Sequence, residues 1–191
     1  MNLLSIIAYT GTFVFALTGA LKARSHSMDI FGAAVLAFVT AYGGGTIRDL
    51  LLGIRPVNWV NDYIALSLVS AALVIVSLVN KSFIKFKRAI FLTDAIGLGM
   101  FTAAGIQISF QHDVNSVYAV IMGVISATFG GLLADILSNT VPDLLKRGEL
   151  YATACIIGGI VYAAMQKSGI GNEAGLICCV IIVVIIRIVS K

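Results

Sequence analysis

The sequence predicts an all-α integral membrane protein with seven transmembrane helices, arranged as an inverted 3+3 repeat plus one C-terminal helix. Three observations predict this fold: an apolar composition, seven long apolar segments and an internal repeat. Of the 191 residues, 59% are hydrophobic and 12% are charged, and the mean hydropathy is +1.02. Soluble domains average roughly 45–50% apolar and about 25% charged residues. The composition therefore argues strongly against a soluble enzyme or a nucleic-acid-binding domain.

Seven apolar segments have about the length that a membrane crossing requires. A bilayer core of about 30 Å needs about 20 helical residues, because each residue rises about 1.5 Å. The first segment is expected to be retained rather than cleaved as a signal peptide, since no basic residue precedes it and Lys22 and Arg24 follow it. Together the segments leave no room for a soluble domain, so residues 1–191 are predicted to form one transmembrane domain. The segments are residues 4–21, 29–51, 62–79, 89–110, 115–138, 150–166 and 173–190.

The basic residues indicate how the chain is oriented. If successive segments cross the membrane in opposite directions, ten of the thirteen Lys and Arg residues fall on one side. The other side has Arg48, Arg55 and Lys167. Because Lys and Arg concentrate in cytoplasmic loops, we expect a multi-pass inner-membrane protein with its amino terminus outside and its carboxyl terminus in the cytoplasm. The segment 81–88 either contacts anionic lipid headgroups or only orients the protein. The ten residues are Lys22, Arg24, Lys81, Lys85, Lys87, Arg88, Lys146, Arg147, Arg187 and Lys191.

An internal repeat appears when the sequence is shifted by 86 positions without a gap. Repeat 1 covers about residues 4–79, repeat 2 covers about 89–166, and the helix at about 173–190 is an addition. Three crossings bring the second copy into the membrane from the opposite face, so a pseudo-twofold axis in the membrane plane is predicted, as in many transporters and some channels. The aligned pairs include Gly11 with Gly97, Phe15 with Phe101, Gly19 with Gly105, Gly44 with Gly130, Gly45 with Gly131, Asp49 with Asp135 and Pro56 with Pro142.

Equivalent glycine runs lie in the second and fifth segments. The first contains Gly43, Gly44 and Gly45, and the second contains Gly130 and Gly131. Each glycine disfavours a helix by about 1 kcal/mol relative to alanine, so each run predicts a kink or an unwound turn. Freed carbonyls in a membrane must face protein or water, which favours a role in lining a pathway. Close helix packing is the alternative, and the two roles are compatible.

Four ionisable residues within the apolar segments are candidate pathway groups. Such residues usually face an aqueous cavity or one another. Arg48 and Asp49 are expected near the outer end, where Arg48 is either an ion-pair partner or gate latch, or an interfacial side chain that snorkels to the headgroups. Asp94 and Asp135 are expected to converge near the cytoplasmic end. There they either concentrate cations or only bond to neighbouring backbone groups.

The remaining side chains suggest a conduit rather than an enzyme. Phe38, Tyr42 and Phe129 lie near the glycine runs and fit a hydrophobic gate or a small-solute pocket. Trp59 and Tyr151 are expected to be interfacial anchors. No nucleophile has a base in reach, and no phosphate loop or metal-ligand spacing occurs. We therefore expect no catalytic residue, no cofactor, no resident metal and no nucleic-acid partner.

The segment Gly43-Gly44-Gly45-Thr46-Ile47-Arg48-Asp49-Leu50-Leu51-Leu52-Gly53 resembles the signature of a bacterial inner-membrane family often labelled a glycine-transporter domain. Members of that family are similar to the trimeric intracellular cation (TRIC) channels of animals. The stretch Asp94-Ala95-Ile96-Gly97-Leu98, and Phe129-Gly130-Gly131 with Asp135, resemble it as well. The resemblance implies a homotrimer with one potassium- and sodium-conducting pore per protomer. It also implies that helices 2 and 5 line each pore and that basic and acidic side chains latch a gate.

Two departures limit what the resemblance implies. Ala134 stands where the first repeat has Arg48, and Phe129 stands where it has a third glycine. The Lys-Glu-Val signature of the animal channels is also absent from the second segment, so their voltage-sensing and calcium-store roles are not carried over.

Three functions fit these observations. The first is a passive, homotrimeric channel for monovalent cations, potassium or sodium, in the lipid bilayer. The alternative is a secondary transporter of a small solute such as an amino acid, for example glycine, because an inverted repeat serves both. A structural or assembly partner without transport is the third.

Overall fold

A computed structural model describes residues 2–79 and 86–190. Within these ranges the chain forms seven α-helices and one 3-10 turn, Asp143–Leu145. Five of the helices are long and apolar enough to cross a membrane, while α3 and α6 have 16 residues each. The predicted all-α fold class is confirmed. The helices are α1 (Leu3–Ser25), α2 (Ile30–Leu51), α3 (Tyr63–Leu78), α4 (Phe86–Gln111), α5 (Ser116–Leu137), α6 (Ala152–Lys167) and α7 (Asn172–Val189).

Part of the predicted basic segment falls outside the described residues. Lys81 and Lys85 lie between the two described ranges, and Lys191 lies beyond the second. The contact with anionic lipid that was expected for residues 81–88 therefore stays a prediction.

The start of α2 and the start of α5 are encoded in the same way. Asp29 caps α2 by accepting a bond from the Gly32 backbone N–H at 2.8 Å, and Asn115 caps α5 by accepting from the Tyr118 N–H at 3.2 Å. Asp and Asn are favoured at this position because the side-chain oxygen satisfies a backbone donor that the helix leaves free. The two caps are 86 residues apart, so the repeat register extends to the helix boundaries.

The ends of α2 and α5 are also equivalent. Each helix is followed by a residue in the left-handed region, Gly53 with φ 72° and Asn139 with φ 52°. The next N–H then bonds back to the helix, from Ile54 to the Asp49 carbonyl at 2.8 Å and from Thr140 to the Asp135 carbonyl at 3.0 Å. This Schellman pattern favours glycine or asparagine at the left-handed position. Both repeats therefore leave their central helix with the same backbone geometry.

The centre of the bundle lies between equivalent residues of the two repeats. The Phe15 and Phe101 rings stack with their centroids 5.0 Å apart and their planes at 8°. Because the two residues are related by the 86-residue shift, their contact lies on the pseudo-twofold axis. Gly97 makes room for it, since a Cβ there would lie 2.2 Å from the Phe15 ring. The inverted relation predicted from the sequence is thus built into the core.

Among the described residues, the main contacts of helix α7 are with α4 and α6 of the second repeat. Small residues allow the close approach: a Cβ on Gly99 would lie 2.9 Å from the Val180 carbonyl oxygen, and one on Gly158 would lie 2.6 Å from the Val183 side chain. The added helix therefore breaks the symmetry, because α1 and α3 carry no counterpart of it in the described ranges.

Candidate functional site

The glycine runs bring α2 and α5 into backbone contact at their crossing. A Cβ on Gly44 would lie 2.1 Å from the Ser126 carbonyl oxygen, and one on Gly130 would lie 2.3 Å from the Thr40 carbonyl oxygen. The 86-residue shift exchanges the two contacts. Both helices continue through the crossing without interruption. The expected unwound turn is therefore wrong. The glycines lack side chains, which lets the two helices pack closely while each remains helical.

Threonines on either side of the first glycine run favour bending of α2. Thr40 donates its hydroxyl to the Leu36 carbonyl at 2.6 Å, and Thr46 donates to the Tyr42 carbonyl at 2.8 Å. Bonds of this kind, to the carbonyl four residues earlier, often bend a helix without breaking it. The role of residues 43–45 and 130–131 as pore-lining kinks stays a prediction.

The other glycines of the runs lie beside side chains rather than backbone. A Cβ on Gly43 would lie 3.0 Å from the Leu133 side chain. One on Gly45 would lie 3.7 Å from the nearest guanidinium nitrogen of Arg48, and one on Gly131 would lie 2.7 Å from the Tyr151 hydroxyl. Gly45 and Gly131, which are equivalent in the repeat, each adjoin a polar cluster at opposite ends of the bundle. We call these the Arg48 end and the Asp135 end.

At the Arg48 end a cavity of about 330 Å³ opens between α1, α2, α4 and the segment that joins α2 to α3. Its wall combines charged, hydroxyl and aromatic groups. None of its lining residues comes from α5, so at this end α2 lines the cavity with α1 and α4 instead. The lining residues used below are Tyr9, Tyr42, Arg48, Asp49, Trp59 and Asp62.

The Arg48 side chain lines this cavity and connects α2 to α5. Its exposed fraction is 4%, so the expected alternative of a snorkelling interfacial side chain is wrong. Its Nε and Nη2 donate to Asp49 Oδ1 at 2.9 and 2.6 Å, and its Nη1 donates to the Ser126 hydroxyl at 3.0 Å. Asp49 also accepts the Asn58 backbone N–H at 2.8 Å. The ion pair thus connects the helix crossing to the segment before α3.

Three aromatic rings form one cluster beside this ion pair. The Phe38 centroid lies 4.8 Å from that of Tyr42 and 5.0 Å from that of Trp59, and Tyr42 stacks on Trp59 at 5.2 Å. Trp59 also donates its Nε1–H to the Thr46 hydroxyl at 2.8 Å. Its polar atom therefore bonds to α2, and its expected role as an interfacial anchor stays a prediction. Phe129, which is half-buried, does not belong to this cluster.

At the Asp135 end, Asp135 takes the place that Asp49 has in the first repeat. It forms a salt bridge with Lys22 of α1. It also accepts the Asp143 backbone N–H at 3.1 Å and the Thr140 hydroxyl at 3.1 Å. Asp49 and Asp135 each combine a basic partner with a backbone donor from the following segment. The basic partner, however, comes from a different helix in each half.

Asp94 lies at the same end and has several partners. The Tyr151 hydroxyl donates to its Oδ1 at 3.0 Å, and an Arg187 guanidinium nitrogen lies 3.8 Å from its Oδ2. Arg187 is 1% exposed. Its guanidinium lies 3.3 Å from Glu149, with its carbon 4.8 Å from the centre of the Tyr151 ring and 5.2 Å from that of Phe91. Tyr151 is itself buried, so its expected interfacial role is wrong.

Sequence reasoning missed several of these partners. Arg187 was expected to orient the protein, although it lies within an apolar helix, and an ionisable residue in such a segment indicates a functional or paired position. Lys22 was likewise placed in a loop. No local pattern connects Ser126, Asn58 or Tyr151 to the charged residues that they contact, since the partners are 9 to 78 residues apart.

Metal-ligating groups are not assembled in the described ranges: no cluster of three or more His, Cys, Asp or Glu side chains could hold a metal ion there. The three cysteines are free, and Cys155 and Cys179 are buried.

Comparison with known proteins connects the repeat and the site to a family. A family model described as "Glycine transporter" matches residues 5–79 and 91–167, one match in each repeat. The chain belongs to this family. Similar members are a UPF0126 membrane protein of Vibrio cholerae, 40% identical over 98% of this chain and 78% of its own length, and the inner membrane protein YadS of Escherichia coli K12. The latter is 40% identical over 94% of this chain and 87% of its own length.

Solved structures share the fold of this glycine-transporter family member. A TRIC trimeric intracellular cation channel orthologue from Rhodobacter sphaeroides superposes with a TM-score of 0.89 at 33% identity, over 99% of this chain and 97% of the other. A second TRIC cation channel has a TM-score of 0.87 at 36% identity, over 99% and 93%. The protein is a multi-pass membrane protein and a bacterial homologue of these channels.

Proposed function

We propose that this protein is a passive channel for monovalent cations, potassium or sodium, with a pathway in each protomer where α2 and α5 cross. The observation that carries the proposal is an ion pair on each side of this crossing, the buried pair of Arg48 with Asp49 and the partly buried pair of Lys22 with Asp135. Ionisable groups within a membrane are costly and mark pathways or pair with one another. The similarity to TRIC cation channels supports the same function.

The pathway would have three parts. The 330 Å³ cavity at the Arg48 end is the entrance. The crossing of α2 and α5, where Gly44 and Gly130 allow backbone contact, is the constriction. The cluster of Asp94 with Arg187 closes the Asp135 end. Movement of α5 relative to α1 and α2 would break the bond from Arg48 to Ser126 and the ion pair of Lys22 with Asp135, and would expose the Asp135 carboxylate to passing cations.

The apolar side chains beside the crossing would exclude water while the pathway is closed. Phe38 and Tyr42 pack together on the entrance side, and Phe129 belongs to the second run, beside Gly130. A ring at a constriction can gate by dewetting. We retain all three as candidate gate residues.

Assembly and orientation are part of the proposal. A trimer is supported by the trimeric orthologue to which the chain is similar. We propose that the Asp135 end faces the cytoplasm. When the buried Arg48 and Arg187 are left out, the predicted cytoplasmic side has nine basic residues and the other side has two. The inner membrane is the proposed location, as the name of the E. coli relative supports. We propose no enzymatic activity and no cofactor.

Current recordings from the purified full-length protein in planar bilayers test the channel. We expect unitary cation currents in asymmetric potassium chloride. Neutralising Asp94 and Asp135 together, as Asp94→Asn and Asp135→Asn, should shift the reversal potential toward zero. Asp113→Asn, which changes an exposed acid, is the matched control. An unchanged reversal potential in the double variant would contradict the role of these acids, and silent bilayers would contradict the channel.

A secondary transporter of a small solute such as glycine is the second candidate. The observation that favours it is that a guanidinium, Arg48, and a carboxylate, Asp62, line the same cavity, because a zwitterion carries both complementary charges. Saturable uptake of glycine into liposomes, without unitary currents, would favour the carrier over the channel.

A further inference from the structure

We propose that the cavity at the Arg48 end binds the ammonium group of a small organic cation. In this site the Asp62 carboxylate and the Tyr42 hydroxyl receive the ammonium group, and the rings of Tyr9 and Trp59 enclose it. The binding site itself does not depend on ion conduction. Only its consequence, block of the current, rests on the proposed channel function.

The size and position of the cavity suit a small solute. Its volume of about 330 Å³ falls at the lower end of the roughly 300–1,000 Å³ typical of small-molecule sites. Its lining includes Gln111 and His112, which are exposed at the end of α4. The cavity is therefore reached from the membrane surface at the Arg48 end.

The charges of the wall leave one carboxylate uncompensated. Asp49 is neutralised by Arg48, whose Nη2 lies 2.6 Å from its Oδ1. Asp62 has no basic partner within 4 Å among the described residues. Its Oδ1 accepts the Ala65 backbone N–H at 3.0 Å, as the cap of α3. A monovalent cation in the cavity would balance this charge.

A second observation points to a ligand at the same place. Tyr42 is 5% exposed, and its hydroxyl oxygen is buried without a hydrogen-bond partner in the described part of the chain. Leaving such a group unpaired costs roughly 1–3 kcal/mol. Tyr9, Tyr42 and Asp62 all line the same cavity, so the unpaired hydroxyl and the carboxylate belong to one site.

An organic ammonium ion satisfies these groups together. A primary ammonium donates three hydrogen bonds and accepts none, so it can donate to the Asp62 carboxylate and to the Tyr42 oxygen. Aromatic rings attract such cations through their faces, and Tyr9, Tyr42 and Trp59 all line the cavity. The apolar part of an organic cation would contact the same rings.

Arg48 decides where the cation stops. Its guanidinium lies on the wall of the same cavity, bonded to Ser126 at the helix crossing. A cation too large to pass beside Arg48 would therefore remain near Asp62 and obstruct the entrance.

Tryptophan fluorescence measures this binding directly, since Trp59 is the single tryptophan of the chain. The full-length protein in detergent is titrated with methylammonium chloride, with sodium chloride added to keep the ionic strength constant. We expect a saturable fluorescence change. Asp62→Asn should weaken the apparent affinity about tenfold, the loss that corresponds to about 1.4 kcal/mol. Asn also caps helices, so α3 should still form.

Further variants separate the site from a general effect of salt. Asp113→Asn should bind methylammonium as the unmodified protein does, because Asp113 is exposed and is not part of the cavity wall. Tyr42→Phe should weaken binding by a smaller factor than Asp62→Asn. An unsaturable change, or an equal affinity in Asp62→Asn, would overturn the inference.

Glycine is titrated in the same way. Weaker binding of glycine than of methylammonium is expected, since its carboxylate would lie near Asp62. Tighter binding of glycine would overturn the inference in favour of a zwitterion site.

Recordings from planar bilayers separate this inference from the channel proposal. Methylammonium added on the Arg48 side should reduce potassium current, and less so in Asp62→Asn. Potassium currents without any methylammonium binding would reject the site alone. Saturable binding that is lost in Asp62→Asn, without any current, would uphold the site and reject the channel.

Discussion

At the Arg48 end of the bundle the polar groups surround an open cavity, whereas at the Asp135 end two large described side chains, Tyr151 and Arg187, pack beside the polar groups. Ala65 lines the cavity in the first half. Its equivalent in the second half is Tyr151, whose hydroxyl bonds to Asp94. Arg187 of α7 adds a guanidinium to the same cluster. Two halves with matching helix boundaries therefore differ in the side chains that surround their polar groups.

The difference shows that the backbone symmetry and the chemistry of the two halves are separable. Each half has one carboxylate that binds a basic side chain and a backbone N–H, Asp49 or Asp135. In the first half the basic partner, Arg48, is the neighbouring residue on α2. In the second half that position is Ala134, and the partner is Lys22 from α1. Arg187 comes from a helix without a repeat counterpart, so the added helix determines the asymmetry.

The largest effect on stability is expected when the Arg187 side chain is replaced at the Asp135 end. Arg187→Met should lower the free energy of unfolding by about 3–5 kcal/mol, because Asp94 is left as a buried charge without its basic partner. Denaturant unfolding in detergent measures this change.

Combining Arg187→Met with Asp94→Asn should restore most of the lost stability, since the double variant buries no unpaired charge at this position. If the double variant is no more stable than Arg187→Met, the ion pair is not the cause of the loss.

A smaller loss of stability is expected when one glycine of the helix crossing is replaced by alanine. Gly44→Ala should destabilise the protein by about 1–3 kcal/mol, because the new Cβ would lie 2.1 Å from a backbone oxygen that cannot move alone. The adjacent Gly45→Ala is the matched control, since its Cβ would have a single neighbour at 3.7 Å. Equal thermal midpoints for the two variants would show that α2 and α5 do not touch at Gly44.

At the Arg48 end, removal of the Arg48 side chain should change channel opening. Arg48→Ala deletes the bond to Ser126 across the crossing, and a charged hydrogen bond contributes roughly 1.5–3 kcal/mol. If this bond holds α2 and α5 closed, the ratio of open to closed channels should rise about tenfold in single-channel records. Arg55→Ala, at an exposed arginine of the same end, should leave the records unchanged. Identical records for both variants would exclude Arg48 as a latch.

The smallest effect concerns an exposed ion pair at the Asp135 end. The hydrogen bond from Lys146 to Asp143 raises the pKa of Lys146 above its ordinary value of 10.5. The stability from this pair is therefore complete below pH 10.5 and is lost as the pH rises through the raised pKa. The Lys146 side chain is 43% exposed, so solvent screening limits the contribution to less than about 1 kcal/mol. The difference in stability between the unmodified protein and Lys146→Met should vanish at high pH.

The fold was predictable because its signals are local or periodic. Apolar length predicted the helices to within a few residues, and the 86-residue register found in the sequence extends to the Asp29 and Asn115 caps. A glycine run is less informative, since the same residues permit an unwound turn or a close crossing. The choice between them depends on the helix that packs there, and the partner of Gly44 is 82 residues away at Ser126.

The partners within the site were less predictable. The pairing of Arg48 with Asp49 follows from adjacent positions, whereas that of Arg187 with Asp94 joins α7 to α4. The bond from Trp59 to Thr46 is likewise a tertiary contact that no local pattern in the sequence indicates.

The contact between α2 and α5 has the form of a homodimer interface within one chain. Gly44 meets Ser126 while Thr40 meets Gly130, so each element of the surface is used twice, as in an isologous interface. A mutation in one repeat therefore alters only one of the two copies of the contact. Loss of both contacts requires a change in each repeat. One copy of the contact can therefore vary while the other keeps α2 and α5 together.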